Sequence, residues 1–337
     1  MPKLRLSFIS AFNERVDPLM KGIVQAEGIE VVPTYSHPSE TFWRQLKFQE
    51  YEIGEMSMSS YLIARERGFD MIALPVFPSR RLFHTELSYN TDSGIKQPGD
   101  LVGKRIGVGE YQQTAALWQR GILQHDFGVS QYKVHWYMER TEELSHGGAT
   151  GFAAPAGISF QRIPPDKSMA SMLVNNELDA AAINSPWKNM PTFIGRSHSI
   201  SGSDGDWSKV KQLFTDRMAE GARFFKKWGF LPVNHAYTIR GDVYKKYPWI
   251  AFNLYTGFVK AKEYFNAKLV DSIPSALFFG REYLAMTQEV FGNDPYPYGV
   301  KANRKMLETL IDFSHEQGLT SKKMKVEELF AESTLDL

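Results

Sequence analysis

The sequence contains no cysteine, which excludes disulfide frameworks, thiolate nucleophiles and cysteine-ligated zinc. No apolar run approaches the ~18 residues that a membrane-spanning helix requires. Net charge is nearly absent as well: 39 basic against 38 acidic side chains leave +1. That balance gives no electrostatic footprint for nucleic acid or an anionic membrane. No internal repeat stands out, and no elbow motif supplies the serine of a Ser-His-Asp triad. Gly107 and Gly109 do not make a dinucleotide fingerprint, because Gln112 stands where the third glycine belongs. The N-terminus lacks an apolar segment with a small-residue cleavage site. Leu4, Leu6 and Phe8 instead alternate with Arg5 and Ser7 in the manner of a strand. The chain is accordingly expected to be soluble and cytoplasmic.

What is present is ordinary for a globular protein: 337 residues, 43% hydrophobic and 23% charged, enough for two domains or one large α/β unit. The pattern begins with a strand over about Lys3 to Ile9, followed by a polar loop that carries Asn13 and Arg15. A second strand over Ile29 to Tyr35 precedes a helix that Ser39 is placed to cap. A short strand from Tyr51 then runs into Ser57, Ser59 and Ser60 ahead of a helix at Tyr61 to Ala64. Free N–H groups flanked by hydroxyls suit a carboxylate, and simple N-capping explains them equally well. Met71 to Val76 reads as a buried strand, and the next eleven residues, Phe77 to Leu87, hold Arg80, Arg81, His84 and Glu86. A cationic cluster at the end of a buried strand is where an α/β protein holds an anionic small molecule.

A third polar turn, Glu110-Tyr111-Gln112-Gln113-Thr114, follows the strand ending at Gly109 and leads into a helix with Ala115, Trp118, Ile122 and His125 on one face. Beyond it the pattern predicts a strand over Val134 to Met138, a loop over Arg140 to Pro155 and a helix over Ser168 to Leu173. A strand over Leu178 to Ile183 ends in Asn184-Ser185-Pro186-Trp187, and an exposed Ser/Gly/Asp loop follows over Ser197 to Asp206. An amphipathic helix over Lys209 to Trp228 and a strand over Leu231 to Arg240, bearing Asn234 and His235, come next, and the remainder is mostly helical. The expected architecture is an α/β, two-lobed, periplasmic-binding-protein-like fold of the type II, Venus-flytrap kind. It has two hinge strands and a helical C-terminal tail. Residues 1–88 with 236–337 form a discontinuous first lobe, residues 89–235 the second, and a ligand cleft lies between them.

Phe77-Pro78-Ser79-Arg80 with His84, Gly103-Lys104-Arg105-Ile106-Gly107-Val108, Glu110-Tyr111-Gln112 with Thr114-Ala115-Ala116, and Arg120-Gly121-Ile122-Leu123 together resemble the 4,5-dihydroxyphthalate decarboxylase family. Glu55-Met56-Ser57, Pro297-Tyr298-Gly299, Asn303-Arg304-Lys305 and Glu327-Glu328-Leu329-Phe330 extend the resemblance over nearly the whole chain. It is weakest from about Glu139 to Ser208. The resemblance implies loss of CO2 from a hydroxylated aromatic dicarboxylate in bacterial aromatic degradation. Three places depart from the family pattern: Phe83 where a second arginine precedes the histidine, Phe12-Asn13-Glu14-Arg15 in place of an Asp-Tyr-Asp-Arg-like run, and Asn234 in place of a methionine. All three are expected in the cleft, so the substrate is expected to differ from 4,5-dihydroxyphthalate.

Such a reaction avoids an aryl anion by protonating the carboxyl-bearing carbon before CO2 leaves, which requires a carboxylate clamp, a phenol contact and an acid near the ring. Arg80 is the expected clamp and Arg15 the second candidate, since guanidinium matches carboxylate bidentately. His84 and His235 are the expected acid/base groups, with Glu55 or Glu110 orienting a histidine or meeting the phenol. Asn13, Ser57, Ser59, Tyr111, Gln113, Thr114 and Asn234 are expected to contact the ligand. No cofactor is expected. His84, His235 and Glu55 could together ligate a divalent cation, without any local spacing to support it. The other histidines, His37, His125, His135, His146, His198 and His315, show no convergence in the sequence. The expected partner is a small aromatic carboxylate, with no nucleic acid and no membrane, and with homo-oligomerisation left open. The alternative is a solute-binding protein that captures an aromatic carboxylate for a transporter, which the same fold would serve.

Overall fold

Alternation at the N-terminus buries Leu6 and Phe8 while Arg5 stays outside, so the chain opens with a strand, β1 (Leu4–Ser10). The computed structural model describes residues 2–143, 145–183 and 206–337. The remaining strands are β2 (Ile29–Tyr35), β3 (Ile53–Ser57), β4 (Met71–Arg80), β5 (Leu87–Asn90), β6 (Arg105–Val108), β7 (His135–Met138), β8 (Ser159–Arg162), β9 (Ala180–Ala182), β10 (Val210–Gln212) and β11 (Val233–Arg240). They form two mixed sheets, one ordered β2-β1-β3-β11-β4 and the other β10-β5-β9-β6-β7-β8. β1, β2 and β3 run parallel, and β11 lies antiparallel between β3 and β4, with His235 opposite both Ser57 and Ser79.

The helices are α1 (Asp17–Met20), α2 (Pro38–Phe48), α3 (Met58–Glu66), α4 (Thr114–Phe127), α5 (His146–Thr150), α6 (Met169–Val174), α7 (Arg217–Trp228), α8 (Gly241–Lys246), α9 (Ile250–Asn266), α10 (Gly280–Phe291) and α11 (Arg304–Glu316). The chain leaves the first sheet after β4 and enters the second at β5, then leaves the second after β10 and returns at β11. Both expected hinge segments therefore lie at passages between the sheets. Among the described residues, no helix is long and apolar enough to cross a membrane.

Burial, not propensity, organises the middle of the molecule. All of β3 and seven residues of α3 are buried, and α4 buries nine of its residues, including Trp118 and Arg120. A run buried on every side belongs to an element covered by neighbours all round. Trp118 donates its indole N–H to the Val233 carbonyl at 2.8 Å, which ties α4 to β11. The C-terminal tail closes over α4 and β4: a Cβ on Gly121 of α4 would lie 2.0 Å from the Phe313 ring of α11, and Phe330 bridges to Ala73 in β4.

Several elements differ from the pattern read in the sequence. Residues 209–228 do not form one helix: Val210–Gln212 pairs with β5 as an edge strand, and α7 begins only at Arg217, capped by Asp216. The 140–155 stretch contains a short helix, α5, capped by Ser145. Helix α2 is capped by His37 with Pro38 in its first turn, so Ser39 lies inside it. The expected Asn184–Trp187 strand end and the loop through residue 205 lie outside the described residues.

Candidate active site

Two ionisable clusters meet where the sheets face each other. The first is built on the first sheet. Glu55, at the centre of the fully buried β3, lies 2.6 Å from His235 Nδ1 on the neighbouring β11. Its second oxygen accepts the Ala11 N–H at 2.8 Å and the Ser10 hydroxyl at 3.2 Å, and Ser10 in turn lies 3.0 Å from the Tyr237 hydroxyl. Burial alone would push the Glu55 carboxyl up, but His235, Ala11 and Ser10 together outweigh it and hold the group below its ordinary value. An ionised Glu55 requires Nδ1 of His235 to carry a proton, which leaves Nε2 as the nitrogen that exchanges with a ligand.

The second cluster belongs to the other sheet. Glu110, fully buried in the turn after β6, accepts from Arg140 Nη1 at 2.5 Å, from Ser145 Oγ at 3.0 Å, from the His146 backbone N–H at 3.2 Å and from the Gln112 amide. Burial works against the charge, yet the Arg140 guanidinium beside it and the hydrogen bonds from Arg140 and the His146 backbone N–H keep the Glu110 carboxyl below its ordinary value. Burial dominates at His146 itself and pushes its imidazole down to about 4. His146 is thus neutral near pH 7, beside an ionised carboxylate 3.7 Å away.

Helix α2 joins the clusters. The Phe42 ring lies 4.7 Å from the His235 ring and 5.2 Å from the His146 ring, edge-on to both. His37, which caps α2, feels the charges of Arg140, Glu55 and His235, although its partial burial is the main reason its pKa falls. His235, His146 and His37 therefore belong to one locality. Sequence reading found only His235 among them, because the three sit on elements separated by more than 80 residues. One local signal was legible: His37-Pro38-Ser39 is a helix start, and the cap residue His37 feels the charges of Glu55 and His235.

The floor between the clusters is formed by two helix N-termini. Ser57 caps α3 and Gln113 caps α4. Thr114 Oγ1 lies 2.8 Å from Ser57 Oγ and accepts the Ser59 N–H at 3.0 Å. The hydroxyls of Ser59 and Ser60 are buried without a hydrogen-bond partner. Two helix dipoles and spare hydroxyl donors at one point favour an anion. Ser57, Ser59, Gln113 and Thr114 are thus brought together. Asn234 is partly exposed in β11 at a break in its pairing with β4. Asn13 and Arg15 share the loop after β1, and each donates to the Pro78 carbonyl at 2.9 Å, with Arg15 stacked 3.7 Å from the Tyr296 ring centroid.

Four expectations are corrected by the packing. Arg80 is not free to clamp a carboxylate: its guanidinium donates to the carbonyls of Leu231 and Pro297, both at 2.9 Å, and to Asn303 at 2.5 Å, where it joins the tail to the sheet. His84 is fully buried away from His235, paired with Glu220 at 2.7 Å and packed among Phe127, Phe214 and Phe224. Tyr111 points into the core, where its hydroxyl donates to Gln131 at 2.7 Å and Arg120 covers its ring at 3.7 Å. Phe83 is a core residue rather than a cleft residue. With His84 elsewhere, the trio His84, His235 and Glu55 does not converge, and no group of three or more His, Asp or Glu placed to hold a metal occurs among the described residues.

Comparison with known proteins adds to this geometry. A family model described as "ABC transporter, phosphonate, periplasmic substrate-binding protein" matches residues 10–188. The 4,5-dihydroxyphthalate decarboxylase of Comamonas testosteroni is 30% identical over 339 residues, covering 100% of this chain and 99% of that protein. The enzyme of the same name from Pseudomonas putida is 38% identical over 181 residues, 53% of this chain and 70% of that protein. Among solved structures, the periplasmic aliphatic sulphonate binding protein SsuA of Escherichia coli superposes with a TM-score of 0.54 at 14% identity, covering 100% of both chains. That likeness concerns the fold: two lobes around a cleft.

Proposed function

The chain belongs to the 4,5-dihydroxyphthalate decarboxylase family, and also to the family described by the phosphonate substrate-binding model; from this premise we propose that it is a carboxy-lyase removing CO2 from a hydroxylated aromatic dicarboxylic acid. The observation that carries the reading is the Glu55–His235 pair at 2.6 Å, buried beside an anion-favouring floor. One carboxylate of the substrate rests at the start of α3 and α4, where Ser57, Ser59 and Thr114 converge. The carboxylate that leaves must not be stabilised in the same way, because charge stabilised in the ground state opposes its departure. A dicarboxylate separates these roles: one group anchors and its neighbour leaves.

His235 then supplies the proton. Its Nε2–H transfers to the carboxyl-bearing ring carbon, the C–C bond breaks, its electron pair restores the aromatic ring, and CO2 departs. Glu55 stabilises the imidazolium before transfer and orients it through Nδ1. The ring hydroxyl feeds electrons into the protonated ring, and His37, Arg140 and His146 are the polar groups placed to meet it. Arg15, Asn13, Gln113 and Asn234 are assigned to substrate positioning around the rim. The reading also places the protein in the cytoplasm, which cell fractionation tests.

The test is direct. Purified protein incubated with 4,5-dihydroxyphthalate and related hydroxylated phthalates and benzoates should release CO2 with a change in ring absorbance. His235→Ala should lower kcat by about 10²–10⁴-fold, the usual worth of a general acid. Normal kcat in that variant would refute the proton-donor assignment. Tight binding of an aromatic acid without turnover would favour the solute-binding reading that the SsuA-like fold also serves.

A further inference from the structure

The described surface is unevenly apolar. Val270, Leu277, Phe278, Phe279, Tyr283 and Met286 are all exposed large hydrophobic side chains within one short stretch of chain, with Leu277 at 57%, Phe278 at 91% and Phe279 at 68% exposure. The stretch is an ordered turn. Leu277 N–H bonds the Pro274 carbonyl at 2.9 Å, Gly280 N–H bonds the Leu277 carbonyl at 3.0 Å, and a Cβ on Gly280 would lie 2.4 Å from Ile273. The phenylalanines are therefore presented by folded backbone. Patches of this kind on soluble proteins mark contact sites.

Beside the patch lies a groove of about 570 Å³ between α10, α7 and the passage after β4, whose apolar lining is Leu82, Met218, Tyr283, Met286, Val290 and Phe291, with Arg81, Glu86 and Arg217 also lining it. Its floor is set by Gly221, where a Cβ would lie 2.7 Å from Leu82 and 3.7 Å from Phe291. The same surface thus offers an apolar projection and an apolar hollow, which is the requirement for a self-complementary, two-fold contact.

We propose that this surface joins two copies of the chain, with Phe278 and Phe279 of each copy seated in the groove of the other. Area supports a second copy. The exposed portions of the six side chains and Met218 sum to on the order of 700 Å² of apolar surface per copy, taking large side chains at ~150–250 Å² each. A stable interface uses ~800 Å² per partner. Charge gives a bilayer no hold: residues 266–291 and the groove together carry Lys268, Arg281, Arg81 and Arg217 against Asp271, Glu282, Glu289 and Glu86, without the basic excess that binding to an anionic membrane uses.

The full chain should sediment at tens of micromolar with twice the mass of the 38.4 kDa monomer, or an even multiple of it. The double variant F278E/F279E should halve that mass while keeping the wild-type circular dichroism and Tm, since these side chains are largely free of the fold they leave. Because the chain has no cysteine, a mixture of M218C and F278C chains should form a disulfide-linked dimer on mild oxidation. A wild-type monomer, an assembly whose mass F278E/F279E leaves unchanged, or a wild-type dimer whose M218C and F278C chains fail to cross-link would each overturn the proposal. A monomer that co-sediments with phosphatidylcholine vesicles would overturn it in favour of a lipid surface. None of these readouts depends on decarboxylation.

Discussion

Glu55 accepts hydrogen bonds from Ala11 and Ser10 and pairs with His235, so both its charge and its position are imposed by neighbours rather than chosen by its rotamer. Replacing it with glutamine keeps the shape and removes the charge that supports an imidazolium. Glu55→Gln should lower kcat at least about tenfold with a smaller effect on KM, measured by steady-state kinetics; equal effects on both would mean that Glu55 binds substrate instead. His146 supports a second prediction at this scale. Its folded pKa of about 4 lies below the ordinary 6.5, so between these values the unfolded chain binds the extra proton. The contribution to stability is complete above pH 6.5 and is lost as pH falls toward 4, worth up to roughly 3 kcal/mol at 1.36 kcal/mol per unit. Urea unfolding between pH 7 and pH 4.5 should show a smaller fall in His146→Gln than in the wild type; identical falls would contradict the assignment. Single residues were the least legible level of the sequence. Arg80 and His84 looked functional because charge after a buried strand so often is, but the tail and α7 had claimed both. Nothing local distinguishes an arginine that meets a carboxylate from one that meets three carbonyl-type oxygens.

At the scale of elements, α4 is the piece that joins lobe, floor and tail. Its N-terminus meets Ser57 and Ser59 through Thr114, and its middle is pressed against α11 with no space at Gly121. Gly121→Ala should therefore force α4 and α11 apart. The expected cost is about 1–3 kcal/mol, read as a lower urea midpoint, together with a weakened substrate affinity because Thr114 moves with the helix. An unchanged midpoint would show that the Phe313 ring can yield. Most elements were legible from period and punctuation, β1, β4 and β11 above all. The failures have physical causes. Val210–Gln212 is too short to show alternation and exists because β5 offers it an open edge. Helix α5, rich in glycine, forms because Ser145 caps it by accepting the Gly147 N–H and Glu110 accepts the His146 N–H.

At the scale of the molecule, two sheets linked by two passages carry one cluster each, Glu55–His235 on the first and Glu110–Arg140–His146 beside the second, and the Phe42 ring contacts both. The two-lobed plan was legible because β-α order survives in the sequence, whereas the facing of the two clusters was not, since it depends on how the lobes meet. The central claim is that His235 protonates a ring carbon from which CO2 departs. It is tested most directly by incubating the protein with 4,5-dihydroxyphthalate in D2O and following CO2 together with ring protons by NMR. The account predicts one deuterium at the vacated carbon for each CO2 released, and loss of both signals in His235→Ala. Turnover in His235→Ala at the wild-type rate, or binding of the acid with no CO2 released by the wild type, would contradict it.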